Sequence, residues 1–249
     1  MNPDRIIAVR NHKTVYRDGE LCLKVFDKTY SKADVLAEAT AQALAEETGL
    51  CIPPLREVAV MDGKWTLVTQ FVRGRTLEQL AAEHPEEKSD CIERLVRLQC
   101  EVHSHTCQRL TPQQGRLARE IGRAELDGTT RTRLLDKLAA LPRETALCHG
   151  DLSFSNILLS EDGRLCLIDW AHASQGSAAT DAAETYLCFR LEGDPDGAEE
   201  YLTCFCGQSG ISRKTVQDRL PIAAAARSAR CNESGRSVLR SWIAAADFD

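Results

Sequence analysis

The chain has 249 residues, 43% of them hydrophobic and 27% charged, which supplies enough apolar material for a sizeable core and excludes wholesale disorder. A formal charge of −6 argues against a nucleic-acid partner, and no apolar run approaches the ~20 residues that a membrane span needs. Eleven cysteines, an odd number with neither a secreted-scaffold spacing nor a leader-like opening, read as reduced thiols in a cytoplasmic protein.

In chain order, residues 6–9 form a short apolar run. Residues 14–17 and 20–26 flank Asp18-Gly19, a two-residue turn signal that predicts a β-hairpin. Ser31 opens a helix to about residue 48, ended by Gly49 and by Pro53-Pro54. Residues 55–60 and 65–71 predict two further strands around Met61-Asp62-Gly63-Lys64. Thr76 with Gln79 resembles a capping box, and from there to about residue 141 the chain is mostly helical. Within that stretch Ile92, Leu95, Val96, Leu98 and Val102 recur at helical spacing and predict a buried face. A second short β region spans residues 146–168, and residues 177–249 read as helices with loops.

The densest chemical signal is Cys148-His149-Gly150-Asp151-Leu152-Ser153-Phe154-Ser155-Asn156, followed by an apolar strand, an Asp162-Gly163 turn and Leu167-Ile168-Asp169-Trp170. The two apolar stretches should pair as a hairpin. Asn156 precedes the first strand and Asp169 follows the second, so the hairpin brings an amide oxygen and a carboxylate together. Oxygen donors of that kind suit Mg²⁺, which draws the rest of its shell from water and substrate phosphates. Asp151, five residues before Asn156, is a candidate base for an attacking hydroxyl. A single loop Asp or Asn usually forms a turn; four matched positions around one hairpin carry more weight.

This segment resembles the catalytic segment of the eukaryotic-like kinases, in which a loop Asp, an Asn five residues later and a second Asp act together. The wording His149-Gly150-Asp151 with Asn156 and Ile168-Asp169-Trp170 is similar to the aminoglycoside-phosphotransferase and choline-kinase branch. Protein kinases would carry Arg at 150, Lys at 153 and Phe-Gly after Asp169, where this chain has Gly150, Ser153 and Trp170-Ala171. The resemblance runs from Lys24 to Asp181 and implies a two-lobed α+β protein-kinase-like fold. Its small β-rich lobe with one main helix would span residues 1–72, and a larger, mainly helical lobe residues 73–249. It further implies ATP and Mg²⁺ between the lobes, Asp151 as catalytic base, and Asn156 and Asp169 as metal ligands.

On the strand at 20–26, Lys24 shares a face with Cys22 and Phe26, so its half-buried ammonium wants a carboxylate. Glu38, beside the small or apolar Val35, Ala41 and Ala45 on the next helix, is the candidate; Asp34, Glu46 and Glu47 lie toward the helix ends. In the resembled family a strand Lys binds nucleotide phosphates and a helix Glu holds it, roles that Lys24 and Glu38 fit. Gln70-Phe71-Val72 before Arg73-Gly74-Arg75 is similar to the hinge whose backbone binds adenine, making Gln70 and Val72 nucleotide-binding candidates. One departure stands out: the first turn, Arg10-Asn11-His12-Lys13, has no glycine to bring backbone N–H groups to phosphates. Asn11, His12 or Lys13 would have to supply a side chain instead. His103 reads as a satisfied core histidine, and Asp181 matches a residue that braces the catalytic loop.

The acceptor implied is a small-molecule hydroxyl. Asp181, Glu184, Glu192, Asp194, Asp196, Glu199, Glu200 and the terminal Phe248-Asp249 offer carboxylates to a cationic one. The alternatives are a catalytically weak or inactive kinase-like nucleotide-binding regulator, consistent with the glycine-free turn, and a protein Ser/Thr kinase, disfavoured by Gly150, Ser153 and the lack of Ala-Pro-Glu after Asp169. No Gly-x4-Gly-Lys-Ser/Thr run occurs, which excludes a P-loop. Cys100, His103, His105 and Cys107, with Cys204 and Cys206, match no common zinc spacing, and Arg227, Arg230, Arg236 and Arg240 read as a solvated helix face.

Overall fold

A computed structural model describes residues 5–10 and 12–244, so Asn11 and Phe248-Asp249 lie outside the described residues. The chain runs β1 (Arg5–Arg10), β2 (Lys13–Asp18), β3 (Leu21–Phe26), α1 (Lys32–Glu46), β4 (Leu55–Met61), β5 (Lys64–Gln70) and β6 (Gly74–Thr76). Helices α2 (Leu77–Glu83), α3 (Lys88–Ser104), α4 (Gln113–Arg123) and α5 (Gly128–Ala140) follow, then β7 (Ala146–Cys148), β8 (Ile157–Ser160), β9 (Leu165–Leu167) and β10 (Ser174–Gly176). The last part is helical: α6 (Ala178–Leu191), α7 (Pro195–Ser209), α8 (Arg213–Gln217), α9 (Leu220–Ser228) and α10 (Glu233–Ala244). Among the described residues no helix is long and apolar enough to cross a membrane.

Two compact units divide the chain: residues up to Gln79 with Ser155–His172, and Leu80–Phe154 with the residues from Ala173 onward. The hairpin that carries Asn156 and Asp169 therefore folds with the N-terminal sheet, although it follows that sheet in sequence by some eighty residues.

In the first unit a five-stranded antiparallel sheet has the order β1-β2-β3-β5-β4. The β2–β3 turn is the one expected, with Gly19 at φ +56°, a left-handed geometry that glycine adopts without a Cβ clash. Helix α1 starts at a capping box in which Ser31 and Asp34 satisfy each other's backbone N–H groups, a use of Asp34 that takes it out of the lysine pairing. Phe26, Val35, Ala39 and Leu67 form a core cluster between sheet and helix. A second sheet, β6-β8-β9, holds the hairpin between Asn156 and Asp169 in the register Ile157↔Leu167 and Leu159↔Leu165. Gly74 is required there because a Cβ would lie 2.2 Å from the Leu159 carbonyl oxygen.

The second unit is helical apart from the β7–β10 pair. The expected apolar face of α3 is buried at every named position, Ile92, Leu95, Val96, Leu98 and Val102, and α3 packs against α7. Helix α9 is enclosed by α4, α6 and α10, and its four alanines at 223–226 are wholly buried.

Candidate active site

Four charged side chains meet in the first unit. Lys24 on β3 donates to Glu38 of α1 and, at 2.8 Å, to Asp169 Oδ1. Lys13, the first residue of β2, reaches Glu38 Oε2 at 3.5 Å and Asp169 Oδ1 at 3.9 Å, with its ammonium over the Phe26 and Tyr30 rings. Antiparallel pairing explains how the lysines converge: β2 and β3 are neighbours, and Lys13 sits opposite Phe26. Glu38 is only 5% exposed, and a carboxylate that deeply placed needs such partners. Burial works against a charged Lys24, but Asp169 and Glu38 outweigh it and hold the ammonium well above the ordinary lysine range. Burial likewise opposes ionisation of Asp169, and the two lysines override it, pulling the carboxyl far below the usual range. Lys13 goes the other way, lowered first by burial and then by the Lys24 charge, against the opposing pulls of Asp169 and Glu38.

The hairpin joins the backbone beside Asn156 and Asp169: the Ile168 N–H donates to the Asn156 main-chain carbonyl at 3.0 Å. Asp169 adopts φ +63°, a left-handed backbone uncommon for a non-glycine residue, of the kind found where a site constrains the chain. Its side chain remains 32% exposed, so the carboxylate has room for a further ligand. An amide oxygen and an ionised carboxylate are donors that fit Mg²⁺.

Asp151 belongs to the second unit. Its Oδ1 accepts from Arg227 Nη2 at 2.9 Å, a contact that sequence reading missed because it assigned Arg227 to a solvated face. The signal was present: a run of alanines as long as 223–226 marks a buried helix, and Arg227 follows Ala223 by one turn. Arg230 does not stand free either, reaching Glu184 and Glu120 at 3.7 and 3.8 Å. Arg236 pairs with Glu125 and Glu233, and Arg240 with Glu233. The expectation of one solvated arginine face is thus corrected at Arg227, whose helix α9 is enclosed, whereas Arg240 on α10 is 66% exposed as expected.

The loop before Asp151 is pinned from α6. Asp181 Oδ1 accepts the Gly150 N–H at 2.7 Å, and Oδ2 lies 2.8 Å from His103 Nε2 and 3.3 Å from Gln99 Nε2. Gly150 has φ +77°, which explains why glycine occupies a position where a protein kinase would carry arginine. Burial opposes a charged Asp181, but His103 and the Gly150 N–H bring its carboxyl down to about 2. His103 and Asp181, read separately in the sequence as core and brace, form one network with Gln99 and Tyr201. A second buried pair stands beside it, Arg116 forked onto Glu184 at 3.0 and 2.6 Å.

Gln70 and Val72 line a surface cavity of 690 Å³ in the first unit, together with residues 49–54, Arg73 and the turn at 160–162. Lys24, Glu38 and Asp169 do not line it. The Gln70 N–H donates to Pro54 and the Phe71 N–H to Glu20, while the Gln70 side chain holds Arg56 and the Glu20 carbonyl. Val72 lies past the end of the β5 ladder.

The expectation of eleven reduced thiols is corrected at one pair: Cys51 and Cys166 form a disulfide, and nine free cysteines remain. The Leu167 N–H donates to the Cys51 carbonyl at 2.8 Å, bringing the two Cα atoms to 4.5 Å, within bridging distance. A separation of 115 residues hid that approach from sequence reading.

The model of the phosphotransferase enzyme family matches residues 8–213. A comparison with curated protein sequences gives no match. Among solved structures, an aminoglycoside-3'-phosphotransferase of type VIII is similar with a TM-score of 0.67 at 20% identity, over 91% of this chain and 94% of that one. The choline kinase LicA from Streptococcus pneumoniae gives 0.68 at 14% identity, over 99% and 93%. A thermostable mutant of aminoglycoside phosphotransferase APH(4)-Ia, in a ternary complex with ADP and hygromycin B, gives 0.66 at 15% identity, over 98% and 92%. Likeness at these identities establishes the fold, the α+β architecture of these kinases. With 8–213 matched and the catalytic segment inside the match, the chain belongs to the phosphotransferase enzyme family.

Proposed function

We propose that the protein transfers the γ-phosphoryl group of ATP, with Mg²⁺, to a hydroxyl of a small molecule. The observation that carries this reading is the cluster of Lys24, Lys13, Glu38 and Asp169, in which two ammonium groups are held beside a carboxylate with room for a metal. Phosphoryl transfer is chiefly positioning and charge neutralisation, and such a cluster suits both. Lys24, held by Glu38, neutralises the nucleotide phosphates; Lys13 adds a second cation where a glycine-rich loop would otherwise offer backbone N–H groups. Asn156 and Asp169 would hold Mg²⁺, which when bound would offset the negative charge of the phosphate oxygens. Gln70 and Val72 flank the adenine, with the backbone of Val72 the better placed because the Gln70 N–H is already used. Asp151 orients the acceptor hydroxyl and takes its proton as oxygen bonds to the γ-phosphorus and the bond to the β-phosphate oxygen breaks, releasing ADP.

An aminoglycoside-like or other amino- or sugar-alcohol acceptor suits this chemistry, and a cytoplasmic setting would supply the ATP. A polycation, however, would find four of the candidate carboxylates already engaged. Asp181 and Glu184 are in the buried networks, Asp194 pairs with Lys88, and Glu199 holds Tyr186 and Arg213. The reading of an inactive regulator gains nothing from the glycine-free turn once Lys13 fills its role.

The test is Mg²⁺-dependent ATP consumption against a panel of aminoglycosides, choline-like amines and sugars, with Asp151→Ala alongside. The expected result is turnover that needs one acceptor class and falls on the order of 10³-fold in the variant. No turnover, together with no thermal shift from Mg-ATP, would leave a kinase-shaped protein without the activity.

A further inference from the structure

Arg227 is the one charged residue of α9, whose sequence is otherwise apolar apart from Ser228. It sits 76 positions after Asp151, yet its Nη2 is 2.9 Å from Asp151 Oδ1. Its side chain is only 15% exposed, and its Nη1 is buried with no hydrogen-bond partner among the described residues. A guanidinium buried with one nitrogen unsatisfied is a poor source of stability, because desolvation offsets the ion pair and an apolar side chain of similar length would pack as well. What it does supply is geometry. A planar guanidinium held on an enclosed helix presents its Nη2–H to Oδ1 in a fixed direction, whereas a lysine ammonium is a rotating point charge. The catalytic loop carries no such cation nearby in sequence, since position 153 is Ser153.

We propose that Arg227 is a positioning residue: it anchors Oδ1 of Asp151, so that the carboxylate meets the acceptor hydroxyl in one orientation. This rests on the reading of Asp151 as the base. The adjacent residues Gly150 and Asp151 are then held independently, Gly150 through its backbone by Asp181 and Asp151 through its side chain by Arg227. On this reading Arg227 acts through Asp151 rather than on the ligands, and its contribution falls on the chemical step. Asp151 is 28% exposed, so water can reach its carboxylate when Arg227 is changed.

The test compares Arg227→Met and Arg227→Lys with wild type, measuring kcat, KM for ATP, KM for every panel acceptor that wild type uses, and the melting temperature with and without Mg-ATP. The expected result for Arg227→Met is a kcat lowered by about 10- to 100-fold, both KM values within about threefold of wild type, and a melting temperature unchanged or raised. Arg227→Lys, which keeps the charge but not the planar guanidinium, should recover part of kcat. A kcat within twofold of wild type in Arg227→Met overturns the proposal. So does a kcat that falls in both variants in step with a lower melting temperature and a lost Mg-ATP shift, which marks Arg227 as a structural residue. If wild type uses no acceptor and shows no Mg-ATP shift, the proposed function itself fails and this inference falls with it; turnover in wild type with an unaffected Arg227→Met removes this inference alone.

Discussion

The charged cluster of the first unit and that of the second use the same currency of opposite charges but different cations. In the first, Lys13 and Lys24 share Glu38 and Asp169. In the second, arginines do the pairing: Arg227 with Asp151, Arg116 with Glu184. A lysine ammonium is a compact point charge on a flexible stem, able to follow a phosphate as it arrives and leaves. A planar guanidinium holds a carboxylate in one geometry, through two contacts at Glu184 and one at Asp151. Under the proposed function, neutralising a mobile anion and aiming a fixed base make different demands, which the two units would meet with different side chains.

The strongest way to break the comparison is to remove the central cation of the first unit. Lys24→Met leaves Glu38 and Asp169 with Lys13 alone, and kcat/KM for ATP should fall on the order of 10²–10³-fold. Steady-state kinetics with a circular-dichroism control checks this, and a loss under threefold would mean that the cluster does not serve the nucleotide.

Asp181 sharpens the other side, because its role is structural and should appear in stability rather than in charge neutralisation. Its folded-state carboxyl titrates at about 2 against an ordinary 3.8, so its contribution is fully present above the ordinary value and is lost as pH falls through about 2. At neutral pH that is about 2 kcal/mol. Denaturant unfolding from pH 6 to pH 2 should therefore show a steeper loss for wild type than for Asp181→Asn. Parallel curves would show that Gly150 and His103 do not favour the charged form.

Lys13 should matter least of the three, being the outer cation at 3.5 and 3.9 Å from its carboxylates. Lys13→Met should raise KM for ATP about tenfold, near 1.4 kcal/mol, with a smaller change in kcat. An effect equal to that of Lys24→Met would mean that the two lysines act as one unit.

Much of the first unit was legible in advance, because its signals are local. Asp18-Gly19 sets a hairpin, Ser31 with Asp34 starts a helix, and strand alternation puts Lys24 beside Phe26. The Lys24–Glu38 pair followed from asking what a half-buried ammonium needs. The choice among Asn11, His12 and Lys13 was not legible, because a turn's sequence does not say which way its side chains point; His12 turned to Asp27 and Lys13 to the cluster. Arg227 was misread because a charge count along a helix carries no information about what encloses that helix.

By itself, the sequence determined the elements, the hairpin that joins Asn156 to Asp169, and the chemistry those residue types can perform, since turns, caps and periodicity act over a few residues. Tertiary structure alone decided the Cys51–Cys166 bond, the anchoring of Asp151 by Arg227, and the bracing of Gly150 by Asp181. Each of these joins positions 31 or more residues apart, and closing a long loop is favourable only when the packing of everything between has already brought its ends together.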